Sequence, residues 1–164
     1  MAETDAVETA WRIHSALADW TGKVDAKAGF ALTLESAALG AMVAFAKADH
    51  HPAQAADTAP RLLFWLGAVL LGVAALASVS VVSPRLRTRR PHDWREHFVF
   101  FGDLRHWEPA RLAETLTTTS PLNSLTRQLV DMSEIAWAKH RRVRQSLVLA
   151  VAGVLVTALA WLLS

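Results

Sequence analysis

The stretch LLFWLGAVLLGVAALASVSVVS, running from Leu62 to Ser83, carries no charged residue and is built almost wholly from Leu, Val, Ala, Gly, Phe and Trp. At about 1.5 Å of rise per helical residue, it reaches across a hydrocarbon core of about 30 Å. That reading makes the chain a membrane protein, and the remaining sequence is read outward from it. Toward the C-terminus the chain is again uncharged from Ser146 to Leu163, at the short end of what spans a bilayer. Toward the N-terminus, Ala28 to Ala46 is Ala-rich and holds one acid, Glu35, with Lys27 and Lys47 flanking it as membrane segments are often flanked. The expected organisation is a single domain: a helix over 1–27, spans over 28–46, 62–83 and 145–163, an outer loop over 47–61 and a basic region over 84–144.

Loop charges give the orientation. Ala48 to Pro60 contains two Asp and no Lys or Arg, whereas 84–144 carries twelve Lys or Arg against seven Asp or Glu. The positive-inside rule then puts 84–144, and with it the N-terminus, in the cytoplasm of a multi-pass protein. The chain's net charge is +2, so this one region, at +5, accounts for the high pI. A basic segment beside a span also attracts anionic lipid, by about 1 kcal/mol per charge. Lipid attraction is therefore the rival account of each Arg in the segment.

The composition excludes several classes. There is no Cys, hence no disulfide framework, thiolate zinc site or cysteine nucleophile. His50, His51, His92, His97 and His106 fall in no HExxH pattern and no ligand spacing with a carboxylate, so no metal is expected. With neither a nucleophile elbow nor a Gly-rich phosphate loop, no catalytic residue is assigned and the chain is not expected to be an enzyme. Ala44-Phe45-Ala46 resembles a signal cleavage site, but the segment before it starts acidic and reads as helix, unlike a short positive leader.

Two long rods are expected. Val7, Ala10, Trp11, His14, Leu17, Ala18, Thr21 and Val24 recur at three- and four-residue steps and run on into the first span. Ser120-Pro121 reads as a helix start, and Leu122, Leu125, Leu129, Met132, Ile135 and Ala136 repeat that period toward the third span. Between them, Arg85 to Pro91 is a basic linker, His97 to Leu104 an apolar cluster closed by Gly102, and Glu108 to Leu116 a short helix begun by Pro109. The fold class is all-α: three transmembrane helices, two of them extended into a cytoplasmic helical stalk, with a small loop-helix insert.

Four short motifs stand in order along these elements: Asp25-Ala26-Lys27-Ala28 at the first span, Val82-Ser83-Pro84-Arg85 closing the second, Phe100-Phe101-Gly102-Asp103-Leu104 in the loop, and Ile135-Ala136-Trp137-Ala138-Lys139-His140 leading into the third. Together they resemble the Pycsar effector family over nearly the whole chain. The resemblance implies a bacterial inner-membrane effector of antiphage signalling. On infection a cyclase makes a cyclic pyrimidine mononucleotide, cCMP or cUMP, and the effector responds by impairing the membrane, an abortive infection. Its implied partners are that messenger, membrane lipid and further copies of itself, with no nucleic-acid polymer.

The site residues are argued from chemistry. Asp25 and Lys27 sit where the first rod enters the bilayer, and Lys139, Arg141, Arg142 and Arg144 where the third does, so the two groups share one level. One reading is an interfacial anchor, with Asp25 paired to Lys139 or Arg142. The other is a nucleotide site, in which Asp25, Lys27, Arg85, Phe101, Asp103, Trp137, Lys139 and Arg142 offer cations for a phosphate, carboxylates for a base edge and aromatic faces for stacking. Glu35, about two turns into its span, has two readings as well: a helix-knitting group paired to Ser78 or Ser80, or a carboxylate lining an oligomeric pathway. Rival functions are a membrane anchor for a conjugation or mobile-element apparatus and a small ion channel without a ligand.

Overall fold

A computed structural model describes residues 2–45, 52–54, 57–83 and 98–164. Helix α1 spans Ala2–Phe45, α2 Thr58–Val82, α3 Phe101–Leu104, α4 Pro109–Thr118 and α5 Leu122–Leu162, with a 3₁₀ turn at Pro52–Gln54. Among the described residues there is no strand. The chain is all-α, and α1, α2 and α5 are long and apolar enough to cross a membrane. Both rods are continuous helices, of 44 and 41 residues. Proline placement accounts for this: the sequence has none within α1 or α5, while Pro60 sits in the first turn of α2, Pro109 opens α4 and Pro121 immediately precedes α5. A missing N–H is harmless at those positions and breaks a helix elsewhere. At the start of α5 the Leu125 amide donates to the Pro121 carbonyl at 2.8 Å.

Burial along the three long helices keeps one period. In α2 the buried residues are Pro60, Phe64, Gly67, Leu71, Ala74, Ser78 and Val81, in strictly alternating steps of four and three. Ala10, Leu17, Val24, Ala28, Ala31 and Glu35 in α1 fall on such a seam, as do Leu125, Ala136, Val143, Ser146, Gly153 and Ala160 in α5. A 3.5-residue repeat keeps each seam facing its neighbours and selects side chains that interdigitate. The seams are narrower than the stripes expected from the sequence. Trp11, Ala18 and Ile135, all in phase with those stripes, are exposed, because each lies beside the seam and not on it.

The chain forms two compact units, one of 1–22 and 84–137, the other of 23–83 and 138–164. In the second, Val24 and Ala28 of α1 meet Val81 of α2 and Val143 of α5 in one core layer, and further along Glu35 meets Ser146, which in turn meets Ser78. Residue numbers rise together in α1 and α5 and fall in α2, so α2 runs antiparallel to the other two. Large apolar side chains such as Phe30, Leu76 (70% exposed) and Leu155 stand on the outside, while Ala, Gly and Ser dominate the seam. Lipid as the outer solvent explains that inversion: apolar burial gives no net drive between helices in a bilayer, and small residues let backbones approach and gain dispersion contact. Helices α2 and α5 approach closely at Gly67 and Gly153, where a Cβ on Gly67 would lie 2.9 Å from the Gly153 carbonyl oxygen.

In the other unit, Ala6, Ala10 and Ile13 of α1 line a common groove with Leu122, Thr126 and Leu129 of α5. Phe98 packs edge-on against Trp107, with ring centroids 6.4 Å apart. Gly102 does not close the apolar cluster as the sequence suggested; it lies inside the single turn of α3, where the Phe100 ring occupies the space a Cβ would need. Helix α4 starts at Pro109 as expected and buries none of its residues.

Candidate functional site

Helical phase and packing inside the membrane unit build two polar layers. The first is an ion pair. Asp25 lies next to the buried Val24 on α1, and Lys139 occupies the α5 seam four residues before Val143, so the two side chains converge at the base of the same core layer. The Lys139 ammonium donates to both Asp25 oxygens, at 2.6 and 2.8 Å. With side-chain exposures of 17% and 36%, the pair is half-buried and less screened than a free surface pair. Of the two partners named for Asp25 in the anchor reading, Lys139 and Arg142, it is Lys139 that the geometry pairs with it.

The second layer is Glu35, only 2% exposed. Its Oε1 accepts a hydrogen bond from the Ser146 hydroxyl at 2.5 Å. Ser146 and Ser78 lie 2.7 Å apart. A hydroxyl has one proton, so with Ser146 donating to Glu35, Ser78 donates to Ser146. One residue from each of α1, α5 and α2 thereby joins a buried chain of hydrogen bonds. The knitting reading of Glu35 matches this arrangement with one change of partner: Ser146 makes the direct contact, Ser78 joins through it, and Ser80 instead donates to the Ala77 carbonyl. Sequence reasoning misses Ser146 because it opens the apolar run and reads there as a boundary. Its place three residues beyond Val143 on the seam is the signal that finds it. Among the described residues, Glu35 Oε2 is buried without a hydrogen-bond partner.

The candidate nucleotide residues divide between the two units. Asp25, Lys27, Lys139 and Arg142 belong to the membrane unit, where Lys27 is exposed and Arg142 half-buried. Asp103 and Trp137 belong to the other, where Asp103 is buried in α3 and Trp137 is 75% exposed. Arg85 and the side chain of Phe101 lie outside the described residues.

A bundle of three apolar helices with a small-residue seam, a buried carboxyl and a basic base defines a multi-pass membrane protein. The family model described as PycTM, Pycsar effector protein domain, matches residues 9–164. The chain belongs to that family, and is a membrane effector in antiphage signalling. No curated protein matches the chain. No solved structure matches it either.

Proposed function

We propose that this effector responds to a cyclic pyrimidine mononucleotide, cCMP or cUMP, by impairing the bacterial inner membrane as a homo-oligomer. The observation that carries this reading is the breadth of the family match, which takes in all three apolar helices and the long basic segment between α2 and α5. Sensing and membrane action then reside in one polypeptide that rearranges and turns over no substrate. The N-terminus and 84–144 face the cytoplasm on the loop charges.

The ligand's single phosphate charge calls for one or two cations, and of the candidate nucleotide residues Lys27, Lys139 and Arg142 are the cations that lie in the membrane unit. Lys139 already holds Asp25, so a phosphate that engages it competes with that carboxylate. Binding therefore opens the ion pair at the base of the bundle and loosens α1 from α5, the step that couples messenger to membrane. A ligand shifts such an equilibrium only by its differential affinity for the two states, and the ion-pair exchange supplies that difference.

Protein reconstituted in dye-loaded vesicles should release dye on addition of cCMP or cUMP and not of cAMP. Arg142→Ala, at a direct contact, should weaken affinity by roughly ten- to a hundredfold. Lys139→Met should leak without nucleotide, since the ion pair is already gone. An inserted, folded protein that stays tight with every cyclic nucleotide would point instead to the scaffold reading. The cysteine-free chain also allows a clean test of orientation: a membrane-impermeant maleimide on intact spheroplasts should label Asp57→Cys and spare Arg127→Cys. The reverse pattern would overturn the assigned topology.

A further inference from the structure

On its outer face the membrane unit carries a groove of about 600 Å³ between α2 and α5, within the usual size of ligand pockets. Val73, Ala77, Val148 and Leu149 form its apolar wall, and Arg141 and Arg144 stand at one end. Arg141, Arg144 and Val148 follow one another by three and four residues, which puts both guanidinium groups on the helix face that carries the wall. Val148 lies about 6 Å along the axis from Arg144, so charge gives way to hydrocarbon within little more than one turn. The wall continues into the exposed apolar faces of both helices, through Val69 and Leu76 on α2 and Val151 and Leu155 on α5. Among the described residues neither Arg141 nor Arg144 has an ion-pair partner.

We propose that this groove binds one phospholipid with an anionic headgroup, its phosphate on Arg141 and Arg144 and an acyl chain along Val73, Ala77 and Val148. The groove's chemistry selects this occupant. No aromatic face or carboxylate lines it, and Gln145 is its one uncharged polar side chain, so a nucleotide base would find no stacking partner there. Two guanidinium groups without a neighbouring acid favour a net negative headgroup over a zwitterionic one, whose own cation would meet them. The position also fits, because the Arg pair flanks the start of the apolar run on α5, at the depth where headgroups lie. A lipid seated there bridges α2 and α5 and stabilises the closed bundle.

The test is native mass spectrometry of the full chain in micelles supplied with equal dioleoyl-phosphatidylglycerol and dioleoyl-phosphatidylcholine. Two surface Arg set an expected preference for phosphatidylglycerol on the order of ten- to thirtyfold. Arg141→Gln with Arg144→Gln should reduce it to within about twofold. A charge-matched control, Arg12→Gln with Arg111→Gln, should leave it intact. Ala77→Phe, which fills the groove and keeps both Arg, should lower retention of either lipid. No preference in the parent, an equal loss in the control, or displacement of phosphatidylglycerol by cCMP would each overturn the assignment. The last two would indicate general charge attraction and a nucleotide site, respectively. The parent's own preference and its competition with cCMP decide the matter even if a variant fails to fold.

Discussion

Gly153→Leu should separate α2 from α5 and cost the membrane unit about 3 kcal/mol, the upper end of what overpacking costs. A Cβ at Gly153 would meet Leu71 Cγ at 2.9 Å, the Gly67 carbonyl oxygen at 3.1 Å and the Leu71 amide nitrogen at 3.2 Å. Two of those three atoms are backbone, so no rotamer change clears the way and the helices themselves must move apart. The loss spreads, because dispersion contact along a small-residue seam depends on the interaxial distance set at its tightest point. Gly153→Ala should cost less, about 1 kcal/mol, partly offset by the better helix propensity of Ala. Gly72→Leu is the control: it adds the same side chain to α2, where nothing lies within 4 Å of a Cβ, and with the better helix propensity of Leu it should not lower stability. The measurement is the midpoint of thermal unfolding in micelles, followed by helical circular dichroism. A Gly153→Leu protein that melts with the parent would mean that α2 and α5 do not pack at this point.

That contact also marks the limit of what is readable in the residues alone. The spans and rods are legible because an uncharged run needs only a length argument, and because six prolines, all outside the rods, punctuate the helices. The inner face of each span is harder to find. Hydropathy separates membrane from water, but within a span Leu76 facing lipid and Leu71 facing helix look the same. Small residues at alternating three and four steps tell the faces apart, as Gly67, Ala74 and Ser78 do on α2. The ion pair of Asp25 and Lys139 is foreseeable from the common level of two charged clusters. Ser146 is not, since a serine at the end of an apolar run reads as a boundary until its phase with Val143 is followed.

Glu35→Leu should stabilise the resting bundle by about 1–3 kcal/mol and reduce nucleotide-triggered leakage more than tenfold. The stability term follows from the geometry. The carboxyl is buried in a span, where a charge costs a few kcal/mol, and only Oε1 is satisfied, through Ser146. Removing both oxygens relieves the unpartnered Oε2, while the Ser146 hydroxyl can turn to the carbonyl one turn back on its own helix. The activity term follows from the proposed rearrangement. In the closed bundle Glu35 is sealed among α1, α2 and α5, so it reaches a water-filled path only after α1 turns relative to the other two. A polar group held at a cost in the resting state is a force toward that turn, and leucine removes it. Glu35→Gln separates knitting from conduction. Its amide oxygen can still accept from Ser146, so the fold should be retained, and only the ionisable charge is lost. If the carboxylate lines the open path, the Gln protein should bind nucleotide like the parent but pass cations less readily, read as a shifted reversal potential in planar bilayers under a salt gradient. Leakage by Glu35→Leu at the parent's level would show that the buried carboxyl has no part in opening, and the membrane effect would then have to arise on the lipid-facing surfaces of the bundle.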